Sequence, residues 1–212
     1  MIQTWAAGIT PLLEKECYQN YYTKAPLFRR EKADRLQKQP ARAQSIGVWA
    51  LYEEMKAFYG LTGEEAYNFS HSGNYVLCSV CTEYRKSGSE IKVGCDVEQV
   101  GKVKLDLAAR FFCKSEYQDI AKEEEEKRTE LFYRYWVLKE SFMKATGEGM
   151  RLGLDSFEIC MADPPVLIRQ PKNYQETYYY MESELEEGAY RVSVCSTDAE
   201  ICPEIQVIRL GL

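Results

Sequence analysis

Three short stretches of the chain carry side chains that could act on a phosphorylated substrate. In Lys92-Val93-Gly94-Cys95-Asp96-Val97-Glu98, two carboxylates stand two residues apart. In a strand that spacing turns both to one face, with Val93 and Val97 directed into a core. Carboxylates held so close repel each other unless a cation or basic group lies between them. The stretch from Trp136 to Gly147 puts Trp136, Glu140 and Lys144 on one face of a helix, with Lys139 beside it. In Phe69-Ser70-His71-Ser72-Gly73, the only histidine of the chain sits in a small polar loop whose amides and hydroxyls suit an anion such as phosphate. Each stretch alone also fits a plainer role: solvent-facing acids, an exposed Glu–Lys pair worth about 0.3–0.5 kcal/mol, or a turn with a capping histidine. Together they supply oxygen ligands for a hard cation, lysines and a phosphate loop. Magnesium suits such a set, because it takes oxygen ligands and shares substrate phosphates. Zinc would draw on histidine and cysteine.

The elements that hold these groups follow from spacing and punctuation. Residues 30–58 read as helix broken near Pro40, with Ile46, Trp49, Ala50, Met55 and Phe58 close to helical period. Gly60 and Gly63 mark a turn. Strands are expected over Asn74–Cys81 and Ile91–Glu98, joined by a polar loop over Glu83–Glu90. A second helical region starts near Leu105. The charged run Lys122–Arg128 reads as a solvated loop or helix end, and Thr129 as the N-cap of a helix that stops at Gly147. Strands are then expected over 157–161, 166–169, 177–181, 189–195 and 205–210. Helices then strands, twice over, suggest two α+β halves, 1–101 and 102–212, the first with the histidine loop and the acidic strand, the second with the Trp136 helix.

Composition narrows the class. The chain has 212 residues, of which 45% are hydrophobic and 28% charged, as in an ordinary soluble domain. No apolar run approaches the roughly 20 residues needed to cross a bilayer, and the start lacks the pattern of a secretion signal, so a cytoplasmic protein without a membrane partner is expected. Its eight cysteines are expected to be reduced thiols. Cys78 and Cys81 form one CxxC, but their odd spacing on a strand sends them to opposite faces, which argues against a zinc or redox pair. A net charge of −6 argues against nucleic acid as a partner.

These motifs resemble the Sfp-type 4′-phosphopantetheinyl transferases. The family's G-(I/V)-D-(I/V)-E element reads Gly94-Cys95-Asp96-Val97-Glu98. Its W-x-x-K-E-(S/A)-x-x-K-x-x-G element matches at Trp136, Lys139, Glu140, Ser141, Lys144 and Gly147. The S-H-S element is Ser70–Ser72, and Arg110-Phe111-Phe112 and Glu116-Tyr117 also look like family features. The resemblance implies an α+β fold of two similar halves related by a pseudo-twofold, with the active site in the cleft between them. It implies a monomer that moves the phosphopantetheine arm of coenzyme A to a serine of an apo carrier protein (acyl, polyketide or peptidyl), releasing adenosine 3′,5′-bisphosphate. A non-catalytic coenzyme A or carrier-binding relative is the alternative. Carried over residue by residue, Asp96, Glu98 and Glu140 would bind Mg2+, with Mn2+ as a substitute. Glu140 would act as general base and Lys144 would hold the pyrophosphate, helped by Lys139. Ser70 and His71 would contact the 3′-phosphate, Arg29, Lys32 and Arg42 would add basic contacts, and Glu116 would orient a metal-bound water. One departure stands out: Gly60–Tyr67 replaces the family's G-K-P-x-(L/F) segment at the adenine pocket and lacks its lysine and proline.

Overall fold

Two sheets of largely buried strands, each backed by a 21-residue helix, build the molecule. The computed structural model describes residues 1–83, 90–103 and 105–211. In chain order the elements are β1 (Ile2–Gly8), α1 (Lys15–Lys24), α2 (Leu27–Asp34), α3 (Gln39–Tyr59), β2 (Tyr67–Ser72), β3 (Tyr75–Cys81), β4 (Val93–Gln99), α4 (Leu105–Phe111), α5 (Lys114–Ala121), α6 (Glu125–Ala145), β5 (Glu158–Cys160), β6 (Val166–Arg169), β7 (Tyr179–Leu185), β8 (Tyr190–Ser196) and β9 (Ile201–Arg209). The first sheet has the order β2-β3-β1-β9 and the second β4-β8-β7, with β5 and β6 as a separate hairpin. The fold is α+β, as expected.

Strand alternation sorts side chains into three cores. Trp5, Ala7, Val76, Cys78 and Val80 face α3. Ile2, Ala6, Leu77 and Cys81 face the second sheet and meet Val93, Cys95, Val97, Val192 and Val194 there. Phe142, Met143 and Ala145 of α6 close the third core, with Phe157, Tyr178 and Tyr180. Cys78 and Cys81 therefore do lie on opposite faces, and all eight cysteines are free thiols. The third layer of contacts, sheet against sheet, crosses the middle of the chain. A cut at 101/102 would part β4 from β8, its partner across Val93–Gln99, and β9 from β1, with which it pairs in parallel. The sheets thus do not follow the expected division into 1–101 and 102–212.

Local boundaries differ where side-chain chemistry overrides simple pattern. The helix break falls at residues 35–38, and Pro40 sits in the first turn of α3, where its missing N–H is not needed. α6 starts at Glu125, not at Thr129, whose hydroxyl donates to the Glu125 carbonyl within the helix. Glu125 and Glu126 in the first turn complement the positive end of the helix, so the charged run is helix end. The Ser70–Ser72 segment is part of strand β2, not a loop. Apart from its two ends, the polar loop expected over Glu83–Glu90 lies outside the described residues. Among the described residues, no helix is long and apolar enough to cross a membrane.

Candidate active site

The site forms where β4, β2 and α6 meet, and Gly94 is what lets β4 and α6 come together. A Cβ at that position would stand 2.0 Å from the Ser141 carbonyl oxygen and 2.4 Å from the Ala145 amide nitrogen, both backbone atoms of α6. Ser141, wholly buried, adds a contact of 3.1 Å to Ser193 on β8. Only glycine and a small serine permit a helix to lie this close to a sheet. Gly94→Ala is expected to destabilise the fold by about 3 kcal/mol, at the upper end for overpacking because the obstacle is backbone. Thermal unfolding measures this, and a melting temperature equal to the parent's would refute the close-packing account.

That approach brings Lys144 of α6 onto β4. Its ammonium donates to Asp96 Oδ1 at 2.8 Å, to Ser70 Oγ at 2.9 Å and to the Cys95 carbonyl at 3.1 Å. Asp96 is 3% exposed. Its Oδ1 also accepts from Ser70 Oγ at 2.8 Å, whereas its buried Oδ2 has no hydrogen-bond partner among the described residues. Glu98, on the same strand face, accepts from Ser72 Oγ at 2.7 Å through Oε2. Glu140 makes no hydrogen bond among the described residues. Burial raises the proton affinity of all three carboxylates, and the charge of Asp96 raises those of Glu98 and Glu140 further. The Lys144 ammonium is disfavoured by burial, yet the charge and hydrogen bond of Asp96, with the charge of Glu140, hold its pKa above the usual lysine value. The arrangement concentrates negative charge beyond what one lysine offsets. Even so, among the described residues no three His, Cys, Asp or Glu side chains stand as a ready-made metal-binding group; Lys144 and Ser70 occupy Oδ1 of Asp96.

A second cluster lies on the opposite face of β2. Tyr67, Phe69 and His71 alternate with Asn68, Ser70 and Ser72 and point toward α2 and α3. The Arg29 guanidinium, in a residue 7% exposed, stacks 5.3 Å from the Phe69 ring and 5.4 Å from that of Trp49. It makes no ion pair among the described residues, and its buried Nε lacks a partner. Desolvation, then the charges of Lys144 and Lys32, lowers the pKa of His71. Lys32 and Lys144 thus both act on His71, opposed by the Asp96 charge, while Arg29 stacks on Phe69 of the same strand face, and among the described residues none of Arg29, Lys32 and His71 makes an ion pair. In the segment that departs from the family pattern, Glu65 accepts from the amides of Thr62 and Gly63 at 2.8 and 2.7 Å. Beyond it, Tyr67 packs on Tyr52 at 4.5 Å.

Four expected site residues are placed elsewhere or used differently. Lys139 is wholly buried and points away from Asp96: its ammonium pairs with Glu116 at 2.8 Å and donates to the carbonyls of Leu154 and Phe157 at 2.7 and 2.8 Å. Adjacent positions on a helix lie about 100° apart, and here Lys139 is turned to Glu116 and the two carbonyls rather than to the face that Glu140 shares with Lys144. Glu116 accepts from Ile159 N and Cys113 N and is 1% exposed, so it braces α5 rather than orienting water at the carboxylates. Arg42 donates to the Leu36 carbonyl at 2.6 Å, which commits it to the connection between α2 and α3. Ser70 is committed to Asp96, Lys144 and the Val97 amide, so its hydroxyl is not free for a phosphate. Asn68 and Ser72, which also reach β4, were not among the expected site residues. The period-two run of short polar side chains at 68, 70 and 72 was the available signal.

Residues 92–195 match the 4′-phosphopantetheinyl transferase superfamily. The chain is 32% identical over 143 residues to 4′-phosphopantetheinyl transferase Sfp of Bacillus subtilis (strain 168), covering 67% of this chain and 59% of that protein. It is 44% identical over 89 residues to a putative 4′-phosphopantetheinyl transferase of Synechocystis, covering 42% of this chain and 34% of the other. A solved holo-[acyl-carrier-protein] synthase of Thermotoga maritima aligns with 50% of this chain and 61% of its own, at 25% identity and a TM-score of 0.41. The chain spans 59% of the length of the Bacillus relative. The Gly94–Glu98 and Trp136–Gly147 elements both fall inside the matched segment, and the chain belongs to the Sfp-type 4′-phosphopantetheinyl transferase family.

Proposed function

We propose that the protein transfers the phosphopantetheine arm of coenzyme A to a serine of an apo carrier protein. The observation that carries this reading is the pairing, on the two faces of β2, of a carboxylate-rich site with basic side chains that make no ion pair among the described residues. Asp96, Glu98 and Glu140 supply the first, and Arg29, Lys32 and His71 the second. A substrate with a pyrophosphate and a remote phosphate needs both.

The donor set fits magnesium. Asp96 Oδ2 is a buried oxygen without a hydrogen-bond partner among the described residues, Glu140 makes no hydrogen bond there either, and burial and then the charge of Asp96 raise the proton affinity of Glu98 and Glu140, a repulsion that a cation relieves. When bound, the ion would screen the pyrophosphate and the charge that develops on it. The chain's own residues would do the rest. Glu140, whose raised proton affinity suits a general base, takes the proton of the carrier serine. The serine oxygen bonds to the phosphorus that bears the pantetheine arm. The bond from that phosphorus to the bridging oxygen breaks, and adenosine 3′,5′-bisphosphate leaves with the electron pair. Lys144, held protonated, offsets the developing negative charge. His71, Lys32 and Arg29 hold the remote phosphate.

Mass spectrometry of apo carrier proteins incubated with the protein, magnesium and coenzyme A tests the reading. The expected result is the gain of one phosphopantetheine arm. No gain across acyl, polyketide and peptidyl carriers would overturn it, and calorimetric coenzyme A binding without turnover would instead support the non-catalytic alternative. In the same assay, His71→Ala is expected to raise the KM for coenzyme A about tenfold with kcat nearly kept, the pattern of a lost binding contact. An unchanged KM would remove His71 from the phosphate group. The protein is proposed to act as a monomer in the cytoplasm.

A further inference from the structure

Strand β4 is the edge of its sheet, and edge strands leave every second amide without a backbone partner. Here those amides are not left to solvent. The Cys95 amide donates to Asn68 Oδ1 at 3.1 Å, the Val97 amide to Ser70 Oγ at 3.3 Å and the Gln99 amide to Ser72 Oγ at 3.1 Å. Each pair is 27 positions apart, so the contacts form a regular ladder between two strands running in the same direction. β2 belongs to the other sheet, and its even-numbered side chains stand out from the sheet face, so they reach β4 where a backbone could not. Two of the three rungs do a second thing. While accepting from an amide, Ser70 donates to Asp96 Oδ1 at 2.8 Å and Ser72 donates to Glu98 Oε2 at 2.7 Å.

We infer that Asn68, Ser70 and Ser72 are positioning residues: a side-chain ladder that docks β2 onto the free edge of β4 and aims the Asp96 and Glu98 carboxylates. The inference rests on the proposed transferase reading for its kinetic consequence, though not for the ladder itself. Asparagine and serine suit the task because each presents an acceptor one or two bonds beyond Cβ. A serine hydroxyl can also accept and donate at once. Gly73 and Tyr190 complete the docking. The Asn74 amide donates to Tyr190 Oη at 3.0 Å, and a Cβ on Gly73 would stand 2.6 Å from that oxygen and 2.5 Å from Gln99 Oε1. The β2–β3 turn is thereby seated against β4 and β8. The strand divides labour by parity, with odd residues turned to the basic group and even ones to the carboxylates.

Ser72→Ala, Ser72→Thr and Asn68→Ala test the inference by steady-state kinetics and by residue-resolved amide hydrogen exchange. Ser72 is only partly buried, so its variants are expected to fold. Ser72→Ala is expected to lower kcat about tenfold with the KM for coenzyme A within about twofold, because a misaimed group loses rate rather than affinity. Ser72→Thr, which keeps the hydroxyl, is expected within about threefold of the parent. Exchange of the Gln99 amide should quicken in Ser72→Ala and not in Ser72→Thr, and Asn68→Ala should do the same at Cys95 alone. A raised KM with kcat kept would make Ser72 a ligand contact and overturn the inference. So would Gln99 and Cys95 exchange unchanged by the alanine variants. If the parent protein transfers nothing, the transferase reading falls while the exchange measurement still decides the ladder.

Discussion

Asp96→Asn is expected to lower kcat for transfer about 10³-fold while leaving the fold intact. Asparagine keeps the shape of the side chain. Its carbonyl oxygen can still accept from Ser70 and Lys144, as Asp96 Oδ1 does now. The other position holds an oxygen without a hydrogen-bond partner among the described residues, so an amide NH2 there loses no hydrogen bond. What disappears is the negative charge, and with it the oxygen best placed for a cation. Lys144 also loses the carboxylate that holds it protonated. A fall of roughly 5–10 °C in melting temperature is expected, since Lys144 loses the charge of a buried partner and the new NH2 meets no acceptor. Transfer followed by mass spectrometry, alongside thermal unfolding, separates the effects. Activity within tenfold of the parent would mean that the charge of Asp96 has no part in the reaction.

Lys139 gives the second large effect, and of the opposite kind. Lys139→Met is expected to destabilise the protein by about 3–5 kcal/mol, because it leaves Glu116 charged and buried without its partner. For a chain of this size that corresponds to a fall of roughly 6–20 °C in melting temperature. The ammonium is enclosed by Glu116, two carbonyls and the Phe157 ring at 4.2 Å, which ties α6 to α5 and to the segment before β5. Burial lowers its pKa and Glu116 opposes that shift, as expected for a cation kept inside by its pair. Adding Glu116→Gln to Lys139→Met should recover part of the loss, since the orphaned charge is then removed. If Lys139 held the pyrophosphate instead, the single variant would raise the KM for coenzyme A with little change in melting temperature.

The two lysines show how far a motif reaches. Lys139 and Lys144 occupy fixed positions of one helical element, and the resemblance gave both to the substrate. The helical period already separates them: Lys144 shares a face with Glu140, and Lys139 does not. What lies on each face depends on elements far away in the chain. Asp96 arrives from 48 positions upstream to meet Lys144, and Glu116 from 23 upstream to meet Lys139 on the other side. Likewise Ser70 suits a phosphate contact only if its segment is a loop. Once that segment is a strand, alternation assigns Ser70 to Asp96 and leaves only His71 with Arg29 and Lys32.

By itself the sequence determined the α+β class, the opposed faces of Cys78 and Cys81, the convergence of Asp96 and Glu98 on one side of a strand and of Glu140 and Lys144 on one side of a helix. These are local consequences of fixed periods of 2 and 3.6 residues, which any short segment carries within it. Only the tertiary structure decided which sheet each strand joined, that β4 is an edge served by the side chains of β2, and that Lys139 is enclosed while Lys144 faces the carboxylates. Those outcomes depend on which surfaces exclude water from one another and on how closely backbones can approach at Gly94. No window of neighbouring residues records either.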